Sequence, residues 1–270
     1  MPPRAAGPAP SCLLPFGIDG PFELGALAVG ASLAVLAAAT APALAAPRAV
    51  TAGAALAAGG LTGCLATYLH TTLRGKAAVW QELAGGLELR GDERILDAGC
   101  GSGTVLLGTA RHLTTGHAVG IDRWQRRDQW RSSLRAVRAN IAAAGLADRV
   151  RLATADMTAL PFADASFDLV AGCMALHNLH PAGRRRTALA EAVRVLRPGG
   201  LLLLVDVRSR RYPAALTALG MRDVVRRSVG PRMWWCGPLV TTALTSARKP
   251  GPGTGRPRAS HTKGPVDSVD

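Results

Sequence analysis

The sequence predicts an α/β protein with a mostly parallel sheet, preceded by two helices long enough to cross a membrane. Beyond residue 75 of the 270-residue chain, short apolar runs alternate with helical stretches. Strands that alternate with helices are typical of a doubly wound parallel sheet with helices on both faces. Before that point, 24–46 and 49–69 contain no charged residue, and about 20 apolar residues are enough to span the hydrocarbon of a bilayer.

The first part of the chain is predicted to be an irregular leader followed by a transmembrane hairpin. Residues 1–23 are rich in Pro and Gly and have no periodic pattern. Residues 24–70 form the hairpin, whose many Ala and Gly residues permit close helix packing. Arg74 and Lys76 follow the second apolar run, which favours both ends of the hairpin on the cytoplasmic side.

Two alternatives to the hairpin stay open. Ala43-Leu44-Ala45, at the end of the first run, matches the cleavage site of a secretory signal peptide. Against cleavage, the region before the first run is long and holds a single Arg, and the second run would survive it. The other alternative is a pair of helices appended to a soluble domain.

The composition excludes some classes of protein and leaves several partners open. With 48% apolar and 19% charged residues, the chain is neither collagen-like nor wholly disordered. Five widely spaced cysteines without a C-x-x-C pair predict no disulfide framework and no metal site, as suits a reducing compartment. A net charge of +14 is compatible with nucleic acid, an anionic membrane surface or acidic ligands.

Residues 75–247 are predicted to be the globular domain, and 248–270, which lack periodicity, a disordered tail. The candidate helices of the domain are 128–144 and 182–196. Its candidate strands are 95–98, 118–121, 150–153, 167–172, 201–207, 223–229 and 239–246.

A glycine-rich turn and a later carboxylate indicate an adenosine ligand. The first strand runs into Gly99, Gly101 and Gly103, and glycines let backbone approach a ligand closely. The N-terminus of the helix that follows attracts an anionic group. Asp122 ends the next strand, where a carboxylate can accept hydrogen bonds from both hydroxyls of a ribose. Its alternative role is to cap the next helix.

Five motifs follow one another through the globular part. They are Asp97-Ala98-Gly99-Cys100-Gly101-Ser102-Gly103, Gly120-Ile121-Asp122, Ala155-Asp156-Met157 with Leu160-Pro161-Phe162, Phe167-Asp168-Leu169-Val170, and Leu196-Arg197-Pro198-Gly199-Gly200. Together they resemble the motifs of class I S-adenosylmethionine-dependent methyltransferases, most of all the small-molecule branch related to the ubiquinone and menaquinone C-methyltransferases. The resemblance covers 85–247. It implies a Rossmann-like, seven-stranded, mostly parallel sheet and S-adenosylmethionine as cofactor.

The resemblance assigns one group of residues to the methionine end of that cofactor. Gly99, Cys100 and Gly101 would pass close to the methionine portion, with Asp97 supporting its amino group. Cys173, just past the fourth strand, would present backbone only, because relatives often have Asn or Ser nearby where this chain has Gly and Cys. The Pro-Gly-Gly turn is expected to precede the fifth strand and to be structural.

A second group is assigned to the adenosine end. Asp122 would hold the ribose, and Arg123 or Trp124 would pack near the adenine. Asp156 would accept a hydrogen bond from the adenine amino group, while the backbone N–H of Met157 would meet a ring nitrogen.

An acceptor that loses a proton calls for a base, and histidines are the candidates. His177 and, less strongly, His180 follow the fourth strand on the side where substrates enter this fold. Asp206, at the end of the fifth strand, is a more remote candidate. The structural alternative is that the histidines open or cap a helix.

The expected function is methyl transfer to a small acceptor, and the hairpin suggests an apolar or membrane-associated one. The domain is then expected on the cytoplasmic side, where the cofactor is made, anchored through residues 24–69. The alternatives are a catalytically silent, cofactor-binding membrane protein and a nicotinamide-dependent oxidoreductase, although the latter would not call for Asp156-Met157. No nucleic-acid partner is expected, because aromatic residues are few and no Asn-Pro-Pro-Tyr-type motif follows the fourth strand.

Two arginine clusters are expected to be solvated helix faces, with anionic lipid headgroups as the alternative contact. They are Arg123, Arg126, Arg127, Arg131, Arg135 and Arg138, and then Arg184, Arg185 and Arg186.

Overall fold

A computed structural model describes residues 18–125, 129–130 and 133–251. Several sequence predictions lie outside the described residues: 1–17 of the leader, 252–270 of the tail, and Arg126, Arg127 and Arg131.

The strands of the described part form one large sheet and one short pair. They are β1 Ile18–Asp19, β2 Arg94–Ala98, β3 His117–Asp122, β4 Gln129–Trp130, β5 Val150–Thr154, β6 Phe167–Cys173, β7 Leu196–Asp206, β8 Arg222–Ser228 and β9 Ala243–Arg248. The large sheet has the order β5-β3-β2-β6-β7-β9-β8. Neighbours from β5 to β7 are parallel, whereas β9 is antiparallel to both β7 and β8. The prediction of a seven-stranded, mostly parallel sheet is confirmed.

Helices cover both faces of this sheet. They are α3 Lys76–Gly85, α4 Thr104–Ala110, α5 Leu134–Ala143, α6 Ala182–Val195 and α7 Tyr212–Ala218, after the hairpin helices α1 Pro21–Thr40 and α2 Arg48–His70. On one face α3, α4 and α5 bury Trp80, Leu106 and Val137. On the other face α6 and α7 bury Leu189 and Leu216. Removing these side chains from water provides most of the stability of such a layered fold.

The hairpin presents its apolar side chains outward. α1 and α2 pack against each other, yet Leu33 and Leu56 expose 61% and 78% of their surface. Both helices are long and apolar enough to cross a membrane, with mean hydropathy 1.9 for α1 and 1.5 for the helix that begins at Arg48. Apolar surface of this extent is unusual in water-soluble proteins and marks an interaction site.

The base of the hairpin is joined to the domain by one long helix. α2 continues through a π-helical turn, Thr71–Gly75, directly into α3, so helical backbone runs from residue 48 to residue 85. The sequence predicts instead that the hairpin ends at residue 70 and that the globular domain begins separately at 75. The continuity follows from the absence of any helix-breaking Pro in this stretch and from the burial of Val79 on α3.

The prediction of no disulfide is wrong. Cys64 in α2 and Cys236 are bonded, although 172 residues separate them. The loop that contains Cys236 folds back onto α2, where Thr71 Oγ1 donates a hydrogen bond to the carbonyl of Trp234 (2.6 Å) and Tyr68 packs edge-on against Trp235. Only this tertiary contact brings the two sulfurs together, which is why their spacing in the sequence gave no sign of it.

Some predicted boundaries also move. The described end of the leader is ordered, because Ile18–Asp19 pair with Gln129–Trp130 and α1 begins at Pro21. The tail begins later than residue 248: Arg248 ends β9, and the ammonium of Lys249 donates hydrogen bonds to carbonyls at the end of α6.

Two strands begin elsewhere than predicted. β7 begins at Leu196, because that residue pairs with Phe167 before the Pro-Gly-Gly turn, and the turn forms a bulge within the strand instead of preceding it. Gly199 there adopts φ +81°, which glycine tolerates. The last strand begins at Ala243 and not at residue 239, since the chain before it belongs to the loop on α2.

Replacing Gly75 by Ala is expected to destabilise the junction between hairpin and domain. A Cβ at Gly75 would overlap the carbonyl oxygen of Arg232, so either the helix or the loop must shift. Overpacking of this kind costs about 1–3 kcal/mol. The measurement is thermal unfolding followed by circular dichroism in detergent. Gly53→Ala in α2, where a Cβ meets open space, is the matched control and should be neutral or stabilising; equal melting temperatures for the two variants would contradict the tight junction.

Candidate active site

Two cavities lie at the edge of the sheet where the parallel strands end, which is where open α/β sheets bind ligands. The smaller, the glycine-turn cavity, has a volume of about 340 Å³ and is lined by Gly99, Asp122 and Asp156 among others. The larger, the hairpin-base cavity, measures about 1700 Å³ and is lined by the base of the hairpin, His177 and Trp235. Four residues line both cavities and therefore mark where they meet: Asp19, Met174, Asn178 and His180.

The glycine turn leaves no room for a side chain at Gly99. This residue has φ +84°, and a Cβ on it would overlap the Cβ of Ala175 and approach the Cε of Met157. The N–H groups of Gly99 and Cys100 both donate to the carbonyl of Ile121 at 2.9 Å, which ties the turn to the end of β3. The turn therefore offers a closely approachable backbone surface to a ligand.

The two cysteines of the predicted site contribute backbone and not thiol chemistry. The sulfur of Cys100 faces Gly120 in the core, where a Cβ would come within 2.9 Å of it. Burial raises the pKa of the Cys100 thiol well above its usual value and does the same for the pKa of Cys173. Both thiols therefore stay neutral and unreactive at neutral pH.

Asp97 is a fully buried carboxyl group close to the glycine turn. It ends β2 beneath the glycine turn with no exposed surface, and among the described residues neither of its oxygens has a hydrogen-bond partner. Burial raises the pKa of Asp97 to about 8; the nearby backbone of Leu106 opposes this shift, and the negative charge of Asp122 adds to it. A positively charged ligand group would relieve this cost. The amino group of S-adenosylmethionine, to which the resemblance assigns Asp97, is such a group.

Asp122 is fixed in the lining of the glycine-turn cavity. Its Oδ2 accepts the N–H of Gly101 (2.9 Å), and its Oδ1 accepts the N–H of Trp124 (2.6 Å). The indole of Trp124 instead donates to Thr154 Oγ1, and only Arg123 of the two proposed adenine neighbours lines the cavity.

Asp156 is held by neighbours that the sequence did not indicate. Its Oδ1 accepts hydrogen bonds from the backbone and hydroxyl of Thr158, and its Oδ2 accepts one from Arg184 at 2.6 Å. Partial burial alone would raise the pKa of Asp156, but the hydrogen bonds from Thr158 and the charges of Arg184 and Arg123 outweigh it and lower that pKa. Arg184 therefore pairs with a site carboxylate and is not part of a solvated helix face. No local signal marks it, because 28 residues separate the partners.

His177 lines the hairpin-base cavity and is paired with the buried Asp206. Nδ1 of His177 lies 2.7 Å from Oδ1 of Asp206, and the backbone N–H of His177 donates to Oδ2 (3.1 Å). The hydroxyl of Tyr212 also donates to Oδ2 (3.0 Å). A carboxylate only accepts hydrogen bonds, so Nδ1 carries a proton, and Nε2 is the atom of the ring that can exchange a proton with a ligand. The structure thus brings together His177, the main candidate for the base, and Asp206, the more remote candidate. His180 lies where the two cavities meet.

The sheet order, the glycine turn and the carboxylates after two successive strands define a class I S-adenosylmethionine-dependent methyltransferase fold. Residues 95–200 match the family model described as a methyltransferase domain. The unpartnered Asp97 and the backbone cradle at Gly99 fit the cofactor, S-adenosylmethionine, whose recognition the residues of the glycine-turn cavity would provide.

Curated relatives support the small-molecule branch. The chain is 39% identical over 139 residues to 27-O-demethylrifamycin SV methyltransferase of Amycolatopsis mediterranei, covering 50% of this chain and 46% of that protein. It is 33% identical over 156 residues to the ubiquinone/menaquinone biosynthesis C-methyltransferase UbiE of Roseobacter denitrificans, covering 57% and 58%. The chain thus spans about half the length of the curated relatives it matches.

Solved structures share the fold. The [4+2]-cyclase SpnF superposes with a TM-score of 0.54 at 21% identity, over 67% of this chain and 84% of that one. A geranyl diphosphate methyltransferase in complex with S-adenosylmethionine superposes with a TM-score of 0.55 at 15% identity, over 68% and 90%.

Replacing Asp122 by Ala is expected to weaken binding of S-adenosylmethionine at least tenfold. The reason is that hydrogen bonds to a charged group contribute about 1.5–3 kcal/mol each, and about 1.4 kcal/mol corresponds to a factor of ten. Affinity is measured by isothermal titration calorimetry on the full chain in detergent. Asp148→Ala, which removes an exposed carboxylate far from the cavity lining, is the control. Unchanged affinity in a folded Asp122→Ala protein would show that the cofactor lies elsewhere.

Proposed function

We propose that this protein transfers the methyl group of S-adenosylmethionine to a small acceptor held in the hairpin-base cavity. One observation carries the proposal: His177, whose ring is paired with the buried Asp206, lines that cavity, which meets the glycine-turn cavity at Met174 and Asn178. The methyltransferase domain and the names of the curated relatives support the same reaction class.

The bound cofactor would supply a methyl group activated by a sulfonium. The task of this chain is then to align donor and acceptor and to keep water out, and such positioning can supply several kcal/mol. The acceptor atom that takes the methyl group must also lose a proton. Nε2 of His177 accepts that proton, while Asp206 holds the imidazole in the required tautomer and stabilises its charged form.

A catalytically silent, cofactor-binding protein is the rival proposal. SpnF, which shares this fold, is named as a [4+2]-cyclase, so the fold alone does not determine the reaction. The buried carboxylate of Asp206 favours catalysis. Besides the ring of His177, it accepts hydrogen bonds from the backbone N–H groups of His177 and Val207 and from the hydroxyl of Tyr212. A histidine that only capped a helix would not need a partner held in this way.

Replacing His177 by Asn is expected to lower methyl transfer about 10²- to 10⁴-fold and to leave the affinity for S-adenosylmethionine unchanged. The assay incubates the purified full chain with methyl-labelled cofactor and a lipid extract, and it follows label in the extractable fraction. His112→Asn, an exposed position outside both cavities, is the matched control. A wild-type protein that binds the cofactor but labels no fraction of the extract would favour the silent alternative.

We further propose that the hairpin spans a membrane and that the catalytic domain lies on the cytoplasmic side, where the cofactor is made. The outward-facing apolar side chains of α1 and α2 support the first part. In a reducing compartment Cys64 and Cys236 would be thiols, and the loop would still be held to α2 by Thr71 and by the contact between Tyr68 and Trp235.

Replacing Leu33 and Leu56 together by Lys is expected to release the protein from membranes after an alkaline carbonate wash. Both side chains point outward, so the change leaves helix packing intact but places charges in hydrocarbon, at about 2.5–3.5 kcal/mol each. Membrane and soluble fractions are compared by immunoblot. Val225→Lys, on an exposed site of the domain outside both cavities, is the control. A wild-type protein already in the soluble fraction would contradict the spanning hairpin.

A further inference from the structure

The hairpin-base cavity carries an excess of positive charge that methyl transfer by itself does not require. Six arginines line the cavity, against the two carboxylates Asp19 and Glu23. The arginines come from three elements: Arg185 and Arg186 at the start of α6, Arg208, Arg210 and Arg211 after β7, and Arg226 in β8. Three segments that are far apart in the chain thus each contribute arginine side chains to the lining of one cavity.

We call the six arginines in the cavity lining the arginine wall. Ion pairs among the described residues do not neutralise its charge. Within the described part of the chain, no carboxylate forms a salt bridge with any of the six, and Arg226 donates instead to the hydroxyl of Ser209. Of the two carboxylates in the lining, Asp19 is paired with Lys76 at 2.6 Å. Like charges gathered around one cavity repel each other, and an anion between them removes that repulsion.

The arginine wall begins beside the proposed base. Arg208 lies two residues beyond Asp206, the partner of His177, and adopts φ +51°, a left-handed conformation that is uncommon outside glycine. Backbone of this kind costs free energy and persists mainly at functional sites. The same cavity also has an apolar side, to which Tyr68, Trp235 and Leu219 contribute.

We infer, on the basis of the proposed function, that the methyl acceptor is an amphiphile whose phosphate, diphosphate or carboxylate group binds the arginines while its apolar body lies against the hairpin base. Guanidinium groups bind such anions bidentately, which gives orientation as well as affinity. The anion would hold the acceptor so that its reacting atom lies near Nε2 of His177. A lipid headgroup of the bilayer offers the same anion chemistry, and the test separates the two sources.

The test measures binding of hexyl phosphate and of 1-hexanol, which share an apolar body, to the full chain in phosphatidylcholine nanodiscs. The cavity variant Arg208→Gln/Arg210→Gln/Arg211→Gln is compared with a control of equal charge, Arg111→Gln/Arg138→Gln/Arg222→Gln. The control residues are exposed and lie outside the cavity. Affinities come from calorimetry, and S-adenosylmethionine is titrated into every variant in parallel.

The wild type and the control variant are expected to bind hexyl phosphate at least tenfold more tightly than 1-hexanol. In the cavity variant the ratio should fall below threefold, with cofactor affinity unchanged. Equal affinities for the two probes in the wild type, or an equal loss in the control, would overturn the inference.

A second arm compares sedimentation of the same variants with phosphatidylglycerol and phosphatidylcholine vesicles. A cavity variant that loses only its preference for phosphatidylglycerol, with unchanged hexyl phosphate binding, would assign the arginines to the membrane surface and overturn the inference. A wild type that fails to bind S-adenosylmethionine would contradict the proposed function instead, so the two failures are distinguishable.

Discussion

The buried ion pair between Asp19 and Lys76 holds the hairpin against the edge of the sheet where both cavities open. The pair is 2.6 Å long, Lys76 exposes only 4% of its surface, and the backbone N–H of Asp19 donates to Thr72 Oγ1. Tyr68 donates its hydroxyl to the carbonyl of Asp19, which closes the base of the hairpin. Breaking one partner of a buried pair typically costs about 3–5 kcal/mol, because the other charge stays buried. The position of the hairpin, and thus the shape of the larger cavity, depends on this contact.

The base of the hairpin contributes directly to the lining of the larger cavity. α2 passes without a linker into α3, so the membrane-length helix and a core helix of the domain share one continuous helical backbone. Asp19 lines both cavities, and Tyr68 lines the larger one. An acceptor that leaves the bilayer along the hairpin would therefore reach His177 without crossing bulk water. The cofactor, which is water-soluble, would bind in the glycine-turn cavity, which meets the hairpin-base cavity at Met174.

Some residues of the five motifs stabilise the fold and do not line either cavity. Asp168, in the fourth motif, forms two 2.8 Å hydrogen bonds with Arg197 of the fifth motif, and it also accepts the N–H of Arg94 at the start of β2. These contacts align three adjacent strands at the edge opposite the site. Other charged groups that line the cavities come from segments without a motif, as Arg184 beside Asp156 illustrates.

The sequence by itself determined the layered sheet, the glycine turn, the carboxylate at Asp122 and the two apolar helices, because each rests on a periodicity or on the backbone freedom of residues that are neighbours in the chain. It also placed His177 and Asp206 at the ends of two strands, but 29 residues separate them, and only the parallel pairing of β6 with β7 brings them within 2.7 Å. The tertiary structure alone decided the Cys64–Cys236 bond and the arginine wall. Such contacts depend on how segments that are far apart in the chain pack together, and the local composition of each segment does not determine that packing.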